Sequence, residues 1–158
     1  TGMEWIKLVY SWNIILSISL IGWLVAQVLK TLINFWVIGE FDLERMWGAG
    51  GMPSAHSSTV CSMLIATGRY VGVHSPMFAM AFVLAVIVMY DAMGVRRETG
   101  EQAKVLNRIL NQWMDDNARN APIFADKKLK EVVGHTPFEV LSGAVLGILI
   151  GFILPVNL

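Results

Sequence analysis

Leu8 to Leu29 is a run of 22 residues without a formal charge, and no other feature limits the possible folds of this chain as much. The hydrocarbon core of a bilayer is about 30 Å thick and accepts roughly 20 apolar residues in a helix. Within it every backbone N–H and C=O must pair inside the protein, which favours helices. The apolar character resumes past Lys30 and fades near Ile38, so a first span is expected over about 12–37. Three more follow. One covers about 53–72, shorter and more polar, near Arg69. One covers about 76–95, opened by the His74-Ser75-Pro76 turn, apolar from Met77 to Tyr90 and closed by Asp91. One covers about 137–156, uncharged after Glu139. The composition agrees, with 15% charged residues where a soluble domain has about 25%. The expected fold class is all-α, an integral membrane helical bundle of about four transmembrane helices, with residues 1–158 in one domain. The first run exceeds a signal-peptide core and no A-x-A site clearly follows it, so it is read as retained.

The segment from Gly94 to Thr136 breaks the pattern, holding eight of the twelve Lys/Arg and six of the twelve Asp/Glu. Within this 96–134 loop, Leu106, Ile109, Leu110 and Trp113 follow the i, i+3, i+4, i+7 spacing of one helical face. Lys104, Arg108 and Asn111 fall elsewhere on it. An amphipathic helix is expected, lying at the membrane surface or against a partner. Thr136-Pro137-Phe138-Glu139 reads as a capping box opening the last span. Gly143, Gly147 and Gly151 recur every four residues on one face of that span. Such a stripe lets membrane helices approach closely, either inside the bundle or across a homodimer seam, and the sequence leaves both open.

Alternating the four spans brings the polar residues together. The end of the first, the start of the second, the end of the third and the start of the fourth share one side. Lys30, Gly50 and Gly51, Ser54, His56, Asp91, Arg96, Arg97, His135 and Glu139 all occupy those ends. In Gly50-Gly51-Met52-Pro53-Ser54-Ala55-His56 the glycines free the backbone to turn, and Pro53 suits a first helical turn. Exposed amides at a helix start attract an anion, and His56 adds a group that moves protons near neutral pH. Lys30 either snorkels to the interface or faces a partner. Asp91 is a candidate to cap a helix, pair with an arginine or orient a histidine. Two histidines with two or three cations at one face suit phosphoryl transfer, which needs neutralised oxygens, a nucleophile and a proton donor. No Cys/His/Asp cluster of the zinc kind accompanies them, so no metal is expected.

At Pro53-Ser54-Ala55-His56 and at His135-x-x-x-Glu139-Val140-x-x-Gly143, the chain resembles the type-2 phosphatidic acid phosphatase and haloperoxidase superfamily. It is most similar to that superfamily's divergent bacterial and plant membrane branch. The likeness extends to Tyr90-Asp91-Ala92-x-Gly94-Val95-Arg96-Arg97, Gln102-Ala103, Leu106-Asn107 and Gly134-His135-Thr136-Pro137. The resemblance implies His135 as a nucleophile forming a phosphohistidine, Glu139 as its orienting carboxylate, and His56 as the acid that protonates the leaving alkoxide. It also implies that Lys30, Ser54, Arg96 or Arg97 and the Gly50-Gly51 amides hold the phosphate. The chain departs from the superfamily pattern in four places. The Arg-Pro expected after Lys30 is replaced by Val37-Ile38, Ala55 stands for glycine, Glu139 stands for aspartate, and 37 residues separate Arg97 from His135.

The function expected is a membrane phosphatase hydrolysing a lipid phosphate or pyrophosphate monoester through a phosphohistidine. The alternative is a catalytically degenerate protein that binds a phosphorylated lipid as a scaffold. No cofactor is expected, although phosphate or vanadate would suit the site. Zero formal net charge gives no argument for nucleic acid. Ten of the twelve Lys/Arg lie on the site's side, all but Lys7 and Arg69. The positive-inside rule then expects a plasma (inner) membrane protein whose site faces the cytoplasm.

Overall fold

A computed structural model describes residues 12–38, 51–116, 129 and 134–156. Five helices are described: α1 (Ile14–Ile38), α2 (Ala55–Val71), α3 (Pro76–Met93), α4 (Val95–Asp116) and α5 (Pro137–Ile153). Four of the starts have a local cause. Asn13 Oδ1 accepts from Leu16 N at 3.0 Å, Ser54 caps α2, Ser75 with Pro76 at the first turn opens α3, and Thr136 with Pro137 opens α5. The capping box expected at Thr136 and Glu139 is complete in both directions. These side chains satisfy amides that have no partner within the helix.

The interior is built from small and polar side chains, and the exterior from large apolar ones. Ile18, Ala26, Ala55, Cys61, Ala66, Ala85 and Ala92 are buried together with Ser54, Ser57, Ser58 and Ser62. Leu16, Leu20, Leu24, Val28 and Leu32 form an exposed apolar ridge along α1, and Phe82, Val83, Val86 and Ile87 do so on α3. A soluble monomer rarely exposes such continuous apolar surface, whereas a bilayer accepts it and rewards small residues between helices. Two helical runs, Ile14–Trp36 and the one that starts at Pro76, contain a stretch long and apolar enough to cross a membrane. At 17 residues each, α2 and α5 rise about 26 Å and stand at the short end of the spanning range. The molecule is an all-α integral membrane helical bundle carrying an amphipathic helix, α4.

The centre of the bundle is α2, packed against α5, α1 and α3. Its polar face is satisfied locally or across the packing: Thr59 and Thr67 donate to carbonyls one turn back, and Ser58 Oγ donates to Gly22 O at 2.9 Å. A Cβ at Gly143 would overlap the Ser54 carbonyl, one at Gly147 the Ser58 carbonyl, and one at Gly151 would lie 2.6 Å from Ile65 Cβ. The two helices therefore run parallel and in register, four residues against four. This settles the choice left open by the glycine stripe, because its partner is α2 of the same chain and not a second copy.

At the far end, Arg69 Nη1 donates to Gly151 O (2.6 Å), Phe152 O (3.0 Å) and Leu154 O (2.7 Å). A cation on the last carbonyls of α5 complements the negative end of its dipole. One residue, Gly94, separates α3 from α4, so the amphipathic helix begins at the membrane-spanning helix itself, earlier than the apolar spacing suggested. Among its described side chains the buried positions are Gly100, Ala103 and Asn107, while Leu106 and Ile109 are half exposed. The Trp113 side chain expected on that stripe lies outside the described residues.

Candidate active site

The site forms where α1 and α3 end and α2 and α5 begin. Gly51 adopts φ +88°, a region open to glycine, and its backbone rests on the stem of Lys30. A Cβ there would meet Lys30 Cδ at 3.2 Å and Cγ at 3.4 Å. Lys30 is buried, two turns inside the end of α1, and its ammonium lies within the field of Glu139. Ser54, fully buried, donates its backbone N–H to Glu139 O at 3.0 Å. The start of α2 is thereby stitched to the first turn of α5. Ser57 Oγ donates to Ser54 Oγ at 3.1 Å and Ser57 N donates to the same oxygen at 3.4 Å.

His135 follows Gly134, itself at φ +88°, and its backbone N–H donates to Ala92 O at 3.0 Å. That bond fixes the loop before α5 to the last turn of α3. The imidazole is buried, and its Nδ1 lies 3.0 Å from Glu139 Oε2. The same oxygen accepts the Thr136 N–H at 3.1 Å. A carboxylate in this position accepts from Nδ1–H, and in the neutral imidazole that tautomer leaves the lone pair on Nε2. Glu139 therefore closes the capping box and orients the histidine with one oxygen. Reading the capping box as its whole purpose would have missed the second role.

The ring of His56, on the first turn of α2, is 6.2 Å centroid to centroid from that of His135, with an interplanar angle of 63°. His56 is exposed and His135 is 4% exposed. One ring is held in the protein wall and the other opens to the surface.

Of the residues singled out from sequence, Lys30, Gly51, Ser54, His56, His135 and Glu139 converge. Asp91 is half buried and precedes Ala92, whose carbonyl holds the His135 amide. Arg97 is exposed, and its charge acts on Glu101 one turn along α4. The Arg96 side chain and Gly50 lie outside the described residues. Sequence reasoning passed over Asn107 as a supporting residue. Its buried amide donates Nδ2 to Leu129 O at 2.9 Å and accepts Leu129 N at Oδ1 at 3.0 Å, as a β-strand neighbour would. The signal available was an amide on the helix face away from the apolar stripe. Among the described residues no group of three or more His, Cys, Asp or Glu is placed to hold a metal.

No solved structure matches the chain. The chain is 40% identical over 149 residues to the uncharacterized membrane protein YuiD of Bacillus subtilis (strain 168), covering 90% of this chain and 94% of that one. Residues 11–150, which carry every element of the site, match the divergent PAP2 family. With a relative this similar along nearly its whole length and a family match over most of the sequence, the chain belongs to the divergent PAP2 family.

Proposed function

We propose that the protein is a membrane phosphatase acting on a lipid phosphate or diphosphate. The observation that carries the reading is the His135–Glu139 pair at 3.0 Å with His56 one ring's reach away. His135 Nε2, made the nucleophilic nitrogen by the proton held on Nδ1, attacks phosphorus. The phosphorus–oxygen bond to the lipid breaks, an ester bond in a monophosphate and an anhydride bond in a diphosphate, and His56 donates a proton to the departing oxygen. Water then attacks the phosphohistidine while His56 takes its proton, releasing orthophosphate and restoring His135. Lys30 and the amides around Gly51 and Ser54 neutralise the equatorial oxygens as charge spreads over them. Arg96 or Arg97 supplies further positive charge in this reading. Vanadate suits the same site as a mimic of the five-coordinate phosphorus. The excess of Lys and Arg on this side supports a cytoplasmic-facing site in the plasma membrane.

The missing Arg-Pro beyond Lys30 favours a second reading, a protein that binds a phosphorylated lipid without turning it over. One experiment separates the two. Purified protein in detergent is given phosphatidate, phosphatidylglycerophosphate and a prenyl diphosphate, with His135→Ala alongside. Orthophosphate release from any of them by the wild type, lost in the variant, is the expected result. Saturable binding of all three without release would establish the binder, and equal release by His135→Ala would remove the phosphohistidine.

A further inference from the structure

Gln27 lies on α1, one turn before Lys30, and it is 9% exposed. Its Oε1 is the one buried side-chain oxygen or nitrogen among the described residues that has no hydrogen-bond partner. Burying an amide oxygen without a donor costs free energy that a native structure normally avoids, so each such atom calls for a partner. The depth of Gln27 follows from the packing. Ser58 Oγ reaches Gly22 O, which puts those two residues at one level on antiparallel helices. Gln27 is five residues nearer the site than Gly22, about 7.5 Å, and Ser54 is four residues nearer than Ser58, about 6 Å. Gln27 therefore stands level with the Ser54 cap, and Lys30 stands about 4.5 Å above it on the same side of α1.

We propose that Gln27 Oε1 is a specificity-determining acceptor for the lipid, receiving a hydroxyl or amide N–H carried within two or three bonds of the phosphate ester oxygen. The inference rests on the lipid-phosphate reading above and narrows it. With the phosphoryl group at Lys30 and His135, the lipid's first carbons descend toward the bilayer interior and pass the level of Gln27. A monoacylglycerol phosphate, or a lipid phosphate with an amide next to its headgroup, carries a donor there. A fully esterified diacylglycerol phosphate and a prenyl diphosphate carry none. A site built around a buried acceptor rejects the analogue that leaves it unpaired.

The test is a matched pair differing in one hydroxyl: 1-oleoyl lysophosphatidate and 1-oleoyl-propane-1,3-diol phosphate, its 2-deoxy analogue. Equilibrium binding is measured in detergent on full-length His135→Ala protein, which removes turnover, with and without Gln27→Leu, and orthovanadate binding is measured on the wild type. The hydroxylated ligand is expected to bind about tenfold or more tighter, the range for leaving a buried acceptor unpaired. Gln27→Leu is expected to reduce the ratio to about one by weakening that ligand alone. Equal affinities in the Gln27-containing protein, with vanadate still bound, would overturn the role of Gln27 and leave the phosphate site standing. Failure to bind either lipid or vanadate would overturn both. The ratio in the Gln27-containing protein decides the question even if Gln27→Leu fails to fold.

Discussion

Replacing Glu139 by glutamine keeps the shape of the side chain and removes its charge, which isolates what that carboxylate does. One oxygen, Oε2, accepts from both His135 Nδ1 at 3.0 Å and Thr136 N at 3.1 Å. Glutamine still offers an oxygen to the Thr136 amide, so the helix start loses part of a cap, about 1 kcal/mol or less. The effect on His135 is larger. A hydrogen bond to a charged group contributes about 1.5–3 kcal/mol, a factor of roughly 10 to 150 in rate if it is expressed in the transition state. The amide NH2 also offers Nδ1 a donor, which favours the tautomer protonated at Nε2. Locking a catalytic histidine in the wrong tautomer costs about 10^4 in other hydrolases. Orthophosphate release from lipid micelles is therefore expected to fall by at least tenfold and up to about 10^4. The melting temperature of the helical circular dichroism signal should move by only a few degrees. A Glu139→Gln protein with wild-type turnover and a lowered melting temperature would show that the residue only caps the helix, and would refute the orienting role.

Other consequences follow from the packing. Gly147→Ala places a methyl group against the Ser58 carbonyl and should destabilise the bundle by about 1–3 kcal/mol, read as a lower thermal midpoint in detergent with no gain of monomer over dimer on a sizing column. Asn107→Ala removes both bonds to Leu129, so the Leu129 amide should exchange with deuterium at least tenfold faster while α5 amides keep their protection. Lys104 hydrogen-bonds Glu101 at 2.8 Å and holds its carboxyl below the usual carboxylate range. The depressed value means the pair contributes above the unfolded carboxylate range and is lost as pH falls through the folded value. Because both side chains are about half exposed, Lys104→Ala should move the Glu101 titration upward in an NMR experiment and leave the thermal midpoint unchanged.

Much of the site was legible because the chemistry is carried by charged and titratable residues at helix ends, and alternating spans must return those ends to one side. The meeting of His56 with His135 followed from that alternation, and the capping box at Thr136 from the local Thr-x-x-Glu spacing. The glycine stripe was ambiguous for a physical reason: small residues at every fourth position state how close a neighbour comes, not which neighbour it is. Helix α4 hid its inward face, since Leu106 and Ile109 announce amphipathicity while the buried positions among its described side chains are Gly100, Ala103 and Asn107, the last bonded to the Leu129 backbone. Arg69 looked like a simple span terminus because its acceptors are backbone carbonyls more than 80 residues away. Gln27 was passed over inside a run defined by lack of charge, where an amide does not interrupt the pattern.

The most direct test of the account is a structure of the protein with orthovanadate bound. The account predicts one oxyanion within hydrogen-bonding distance, about 3 Å, of His135 Nε2, with Lys30 and the Gly51–Ser54 backbone around its oxygens and His56 on the open side. Vanadate bound away from these residues, or a His135 Nε2 sealed by apolar side chains with the anion elsewhere, would contradict it.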